Sequence, residues 1–237
     1  MMRIDRLTAL TGTAAMVMVV AQPAVAKTAK EVAKVAVPTT VRIDNLLSPK
    51  DGGSGVIIGK QGDDYTVLTA NHVVKNPNAE YQIYTSKGKS YGVTEVKPLQ
   101  GSPGQPDLAV VTFKSSEGQA IAPVSNSDEA SIGSGIYISG FPMTGDGSAE
   151  REFEFTAGQV TSRPASKPEG YTMRYDAVTR RGMSGGPVFD VSGRLVGIHG
   201  QGDRESGTVK LESGGVRRVR RLRRGLMRRC RLIRFGR

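Results

Sequence analysis

Cysteine, histidine and long apolar runs are all scarce in this chain of 237 residues. Its single cysteine, Cys230, lies near the C-terminus, and the only histidines are His72 and His199. Without HExxH or CxxC spacing, we expect neither a zinc site nor any other cofactor. No Walker or GxGxxG sequence is present to support a nucleotide-binding fold. Because the rest of the chain cannot form disulfides, apolar packing must hold it together, and about 190 residues can bury such a core.

The most apolar stretch of the sequence lies at the N-terminus. Two arginines precede the apolar run 7–21, and the small-x-small sequence of residues 24–26 follows it. This order is typical of a cleaved export signal, and the run is shorter than the about 20 residues that span a membrane. We therefore predict a signal peptide over residues 1–26, cleavage between Ala26 and Lys27, and a periplasmic or secreted protein. An uncleaved anchor is the alternative.

Positive charge is concentrated at the other end of the chain. The net charge is +11, yet residues 216–237 hold eleven arginines and no acidic residue. Residues 1–26 carry a net +1, which leaves −1 for residues 27–215 and gives no reason to expect a nucleic-acid partner for this body. The Arg-rich tail has three interpretations: a polybasic arm for anionic surfaces, a basic amphipathic helix, or an out-of-frame ending. The abrupt change of composition favours the third.

After the N-terminal segment, the chain consists of short β-branched runs separated by Gly, Asn, Asp and Pro, without a helical period. This pattern predicts an all-β fold after a helical lead-in over residues 27–36. Two groups of strands, joined by the polar linker 114–119, predict two packed antiparallel β-barrels over about 38–113 and about 125–215. Only the weak strand 208–211 remains to complete the second barrel. The other predicted strands are Thr40–Ile43, Gly55–Gly59, Tyr65–Thr69, Tyr81–Tyr84, Tyr91–Lys97, Leu108–Phe113, Gly135–Ser139, Phe153–Val160, Tyr171–Asp176, Pro187–Asp190 and Leu195–His199.

The stretch RRGMSGGPVFD, residues 180–190, places Ser184 between glycines. It satisfies GxSxG, but Pro187 and a β-type run follow, whereas a helix follows the nucleophile of α/β-hydrolases. A serine hydroxyl is a poor nucleophile until a base takes its proton. His72, in TANHVV, ends an apolar strand at a turn, and Asp107 opens the strand DLAVVTF. These three residues can therefore supply nucleophile, base and orienting acid.

Each of these residues also has an ordinary structural interpretation. GMSGGP alone is compatible with a tight turn, His72 with a strand-end structural hydrogen bond, and Asp107 with a turn before a strand. Asp63, Asp64 and Asp176 are alternative acids, but none introduces a buried strand between His72 and the linker. The joint order and context of the three residues favour the catalytic interpretation.

The segments TANHVV, PDLAVV and GMSGGPVF resemble the three catalytic segments of chymotrypsin-like serine peptidases, in that family's order. The resemblance covers nearly all of residues 38–202 and implies the family's two-barrel fold. It also implies that Ser184 attacks the scissile carbonyl, that His72 acts as general base and then as acid, and that Asp107 orients the imidazole.

The same resemblance gives the residues beside the serine a role. It implies that backbone N–H groups of Gly182 and Ser184 form the oxyanion hole, where negative charge develops in the tetrahedral intermediate. Met183 stands where many members have an Asp that pairs with a freed N-terminus. We therefore expect no activation of that kind.

Within the family, YDAVTRRGMSGGPVFD followed by LVGIHG resembles glutamyl endopeptidases. This implies that Thr179 and His199 line the pocket for the side chain before the cut and select Glu. A hydroxyl and an imidazole can hydrogen-bond a carboxylate, and a protonated imidazole adds opposite charge. Arg180 and Arg181 would also attract acidic substrates, or else be simply solvated. The alternative for His199 is a core histidine.

The sequence thus predicts an exported, monomeric serine endopeptidase that acts on proteins or peptides. Two other classes of protein stay open. One is a catalytically silent binding module that retains the peptidase fold. The other is a binder of anionic surfaces or nucleic acid that acts through the Arg-rich tail, for which salt-sensitive binding is the marker.

Overall fold

The computed structural model describes residues 26–48, 51–99, 105–143, 151–165 and 168–202, and the backbone of three later strands. Helices are few: α1 spans Ala29–Thr39, α2 spans Asn71–Val74, and single 3-10 turns span Ser127–Glu129 and Pro168–Gly170. The strands are β1 Thr40–Asn45, β2 Gly52–Gln61, β3 Asp64–Thr69, β4 Tyr81–Tyr84, β5 Ser90–Pro98, β6 Ala109–Lys114, β7 Gly135–Gly140, β8 Glu154–Ser162, β9 Tyr171–Tyr175, β10 Pro187–Asp190, β11 Leu195–Gly202, β12 Gly207–Lys210, β13 Val216–Val219 and β14 Cys230–Ile233.

The first six strands form a closed antiparallel barrel in the order β1, β2, β3, β6, β5, β4, and β4 pairs back onto β1. Buried and less buried residues alternate along β1, β4 and β6, because successive side chains of a strand point to opposite faces. The inward side chains form one apolar core, which includes Val41, Ile43, Val67, Val111 and Phe113. This barrel carries the segments that contain His72 and Asp107.

The second barrel follows the order β10, β11, β14, β9, β8, β7, and β10 pairs back onto β7. Its closure is less complete, because β8 and β9 are joined through only Val160 with Tyr175 and Ser162 with Arg174. Its core includes Ile136, Ile138, Val188 and Val196. The all-β, two-barrel prediction is confirmed, and the eleven strands before residue 203 are present with bounds shifted by three residues at most.

The end of the second barrel differs from the sequence-based expectation. The weak strand predicted at 208–211 exists as β12, but it pairs with β13 in a separate two-stranded sheet. The strand between β9 and β11 is β14, which lies within the Arg-rich tail. The charge of the surrounding run hides the four-residue strand CRLI, so composition alone gave no indication of it.

Helix α1 lies across the junction of the two barrels. It begins with a capping box in which Thr28 and Glu31 satisfy each other's backbone N–H groups. Its buried residues Val32 and Ala36 belong to a third apolar cluster, which contains Val56 and Leu68 from the first barrel and Phe189, Leu195 and Ile198 from the second. The predicted signal peptide lies outside the described residues, except for Ala26. In the described part of the chain, no helix has the length and apolar character needed to cross a bilayer.

Candidate active site

His72 and Asp107 meet because of the register between β3 and β6. Thr69, the last residue of β3, pairs with Ala109, the first residue of β6, so the residues just beyond these ends are neighbours. His72 Nδ1 lies 2.6 Å from Asp107 Oδ2, and the His72 backbone N–H donates to Asp107 Oδ1 at 2.8 Å. Two contacts to one carboxylate fix both the backbone and the ring of His72.

The carboxylate of Asp107 is buried, with 4% of the residue exposed. Burial raises its pKa, but hydrogen bonds from His72 and Tyr171, with the positive charge of His72, outweigh burial and leave the pKa below its ordinary value. Tyr171 donates its hydroxyl to Oδ2 at 2.6 Å. Asp107 is therefore held ionised beside the imidazole.

Ser184 lies where the second barrel touches the first. The backbone N–H of Ser54, on β2, donates to the carbonyl of Ser184 at 2.7 Å. The Ser184 hydroxyl donates to the carbonyl of Gly200 at 2.9 Å, and the described residues include no hydrogen bond from it to His72. Catalytic hydrogen bonds are often long or misaligned in structures without substrate. The hydroxyl must rotate away from Gly200 to engage the imidazole.

The turn before Ser184 leaves two backbone N–H groups available. The N–H groups of Met183, Gly185 and Gly186 donate to the carbonyls of Arg180, His199 and Met183. No acceptor for the N–H of Gly182 or Ser184 occurs in the described residues. These two N–H groups are the pair that the family resemblance implied for an oxyanion hole.

The orientation of the Gly182 N–H follows from the peptide plane. The carbonyl of Arg181 accepts from the backbone N–H of Met143 at 2.8 Å. Because the C=O and N–H of a trans peptide point in opposite directions, the Gly182 N–H points away from Met143. Gly182 has a φ of 96°, and a Cβ there would lie 2.7 Å from the carbonyl oxygen of Phe141. Only glycine fits this position without displacing the neighbouring backbone.

Ser54 also orients the carbonyl side of this turn. Its hydroxyl donates to the carbonyl of Gly182 at 2.8 Å and accepts from the Phe141 N–H at 2.9 Å. The role of Ser54 was not predicted from the sequence, because a serine in a Gly-rich strand has no local pattern that indicates such a contact. Met183 is fully buried in the apolar core of the second barrel, where an Asp would be costly.

The predicted pocket residues Thr179 and His199 are both buried. His199 lies on β11 with its Nδ1 2.6 Å from the hydroxyl of Tyr175. Burial, and to a lesser degree the charge of His72, lower the pKa of His199 to about 3. The imidazole is therefore neutral at physiological pH, in contrast to the charged form considered from the sequence. A Cβ on Gly202, also on β11, would lie 3.8 Å from the Thr179 hydroxyl oxygen, which places this hydroxyl beside the same strand.

The arginines considered for substrate attraction and two of the alternative catalytic acids contact other residues. Arg180 pairs with Glu154 at 2.6 Å, and Arg181 with Asp51 at 3.3 Å. Of the alternative acids, Asp176 accepts the backbone N–H of Gln159 at 2.7 Å, and Asp64 lies 4.0 Å from the ammonium of Lys114. Asp107 alone among these acids contacts His72 in the described structure. No cluster of three possible metal ligands occurs among the described residues.

The described geometry can now be compared with known protein families. Residues 53–198, more than half of the chain, match the family model described as the trypsin-like peptidase domain. The matched range contains His72, Asp107 and the whole segment around Ser184. It ends at Ile198, immediately before His199.

Proposed function

The chain belongs to the trypsin-like peptidase family, and we propose that it is an active serine endopeptidase whose catalytic residues are Ser184, His72 and Asp107. Membership of the family implies protein or peptide substrates. The observation that carries the proposal is the 2.6 Å contact of His72 Nδ1 with a buried, ionised Asp107 beside the turn that presents Ser184. We also propose that the protein is exported, on the signal-like sequence of residues 1–26.

The proposed reaction begins at the imidazole. Asp107 engages Nδ1, which leaves Nε2 to accept the Ser184 proton as Oγ attacks the substrate carbonyl. The C–N bond of the tetrahedral intermediate then breaks, and the imidazolium gives its proton to the leaving amine. Water, deprotonated by His72, releases the acyl group from Ser184 and restores the serine hydroxyl.

The two available N–H groups suit the charge that develops in this reaction. When the carbonyl becomes tetrahedral, its oxygen carries a negative charge that the N–H groups of Gly182 and Ser184 would stabilise. They are fixed in advance, since the carbonyls that share their peptide planes, those of Arg181 and Met183, accept from the backbone N–H groups of Met143 and Gly186. Such a fixed cradle does not have to reorganise during the reaction.

We further propose a preference for Glu before the scissile bond. A neutral imidazole can still donate one hydrogen bond to a carboxylate, provided that the proton lies on Nε2. The Tyr175 hydroxyl, 2.6 Å from Nδ1, supports this tautomer by donating to the other ring nitrogen. Thr179 would supply a second donor. Selection would then rest on hydrogen bonding of a desolvated carboxylate and not on a charged histidine.

The catalytic assignment is tested by Ser184→Ala and His72→Ala in the mature chain. Each should abolish hydrolysis of a mixed peptide library, and Asp107→Asn should lower kcat by about 10⁴-fold, since the three groups act as one proton-transfer unit. Circular dichroism should show an unchanged fold. An acylating serine inhibitor should label Ser184 in the wild type, and unchanged turnover of Ser184→Ala would contradict the proposal.

The specificity assignment is tested with matched fluorogenic peptides that differ only in the residue before the cut. His199→Ala should lower kcat/KM for Glu peptides by about 10- to 150-fold, the loss expected for one hydrogen bond to a charged group. It should change the rate for Leu or Ala peptides far less. A wild-type preference for Arg, Lys or large apolar residues would assign His199 to the core instead.

A further inference from the structure

Tyr171 joins the two barrels at the predicted catalytic acid. It opens β9 in the second barrel, whereas Asp107 belongs to the first, and 64 residues separate them in sequence. Its hydroxyl donates at 2.6 Å to Asp107 Oδ2, the same oxygen that contacts His72. Tyr171 is 1% exposed, so this hydrogen bond is shielded from bulk solvent.

The residues on either side of Tyr171 restrict its position. A Cβ on Gly200 would lie 2.2 Å from Tyr171 Cε1 and 2.8 Å from its hydroxyl, so the ring occupies the space that a side chain at position 200 would need. The Asp107 backbone N–H donates to the carbonyl of Glu169 at 3.0 Å. Glu169 has a φ of 61°, an uncommon conformation for a residue with a side chain.

The segment 169–171 therefore forms hydrogen bonds with two parts of Asp107, its backbone N–H and its carboxylate. We propose that Tyr171 is a positioning residue of the catalytic acid: its hydroxyl fixes Asp107 Oδ2 for His72 and couples the packing of the two barrels to catalysis. This inference rests on the proposed peptidase function. It assigns Tyr171 no direct contact with substrate.

The consequence of losing the hydroxyl has a definite sign. A hydrogen-bond donor stabilises the carboxylate, so its removal makes the Asp107–His72 pair bind a proton more tightly, whichever member takes it. The titratable groups that face the pair are Tyr171 from β9 and His199 from β11. The charge of His72 lowers the pKa of His199. Glu169 accepts from the Asp107 N–H through its backbone carbonyl. The active, deprotonated form of the pair should then appear at higher pH.

The test compares Tyr171→Phe with the wild type. We expect the acid limb of kcat/KM to move up by about one pH unit and kcat to fall about tenfold, with KM little changed, because one hydrogen bond to a charged group is lost. Tyr65→Phe is the matched control, since it removes the hydroxyl of another buried tyrosine, which contacts Glu117 and Gln119 in the linker after the first barrel. It should leave the pH profile unchanged even if the melting temperature falls.

A second measurement does not depend on turnover. The chain has two histidines, and NMR titration of the His72 ring in Ser184→Ala should give a midpoint that moves up by a similar amount when Tyr171→Phe is added. Incorporation of 3-fluorotyrosine at position 171, a stronger donor of nearly the same size, should move the midpoint down and keep the fold. Unchanged midpoints with both replacements would overturn the positioning role. Moved midpoints, together with a wild-type chain that hydrolyses no peptide, would refute the proposed function and keep only the effect of Tyr171 on the protonation of the Asp107–His72 pair.

Discussion

Acid should destabilise the fold through His199. The side chain is 2% exposed, and its burial, together with the charge of His72, lowers its pKa from 6.5 to about 3. Between these values the unfolded chain binds one more proton than the native state, so the free energy of unfolding falls as the pH is lowered. The slope approaches about 1.4 kcal/mol per pH unit, and going from pH 7 to pH 5 should remove about 2 kcal/mol. Above pH 7 little of this penalty is left.

The measurement is a set of urea unfolding curves between pH 5 and 8. Ser184→Ala is the reference protein, because an inactive chain cannot digest itself during the experiment. Adding His199→Gln should remove most of the one-proton difference between the unfolded and native states over pH 5 to 6.5. The free energy of unfolding should then depend much less on pH. The matched control adds His72→Gln instead, which removes the less buried histidine and should leave most of the slope. Equal slopes for the reference and the His199 variant would refute the argument and indicate an accessible, protonated imidazole.

Three further predictions concern the oxyanion turn and the two ends of the chain. Gly182→Ala should lower kcat by about 10²-fold and reduce stability, because the new Cβ would meet the Phe141 carbonyl. The control is Gly62→Ala, which is also at positive φ but in open space. It should lower the melting temperature and leave the rate of peptide hydrolysis unchanged. A chain that ends at Gly215 lacks β14 and should lose cooperative unfolding and peptide hydrolysis; a polybasic arm would instead lose only salt-sensitive binding to anionic polymers. N-terminal sequencing of the exported protein should return Lys27 first, and an intact Met1 on a cytoplasmic protein would contradict export.

The parts of the fold that the sequence predicted are those with a local cause. The eleven strands before residue 203 lie in short runs bounded by turn residues, and such runs were recognisable one at a time. Strand β14, inside the Arg-rich tail, was not. The sequence also indicated that His72 pairs with Asp107, because both residues lie at strand ends. In the structure β3 and β6 are paired, and their register makes these two ends adjacent. The spacing of glycines around Ser184 similarly reflects backbone conformation at the turn itself.

Two side-chain contacts that the sequence did not reveal cross from one barrel to the other. Ser54 reaches Gly182 across 128 residues, and Tyr171 reaches Asp107 across 64. Taken alone, each is an ordinary strand residue, because neither serine nor tyrosine at a strand position indicates a long-range partner. Both act on groups proposed for catalysis: Ser54 orients the peptide beside the oxyanion hole, and Tyr171 fixes the acid. It follows that a substitution that shifts the barrels relative to each other should impair catalysis before it unfolds either core.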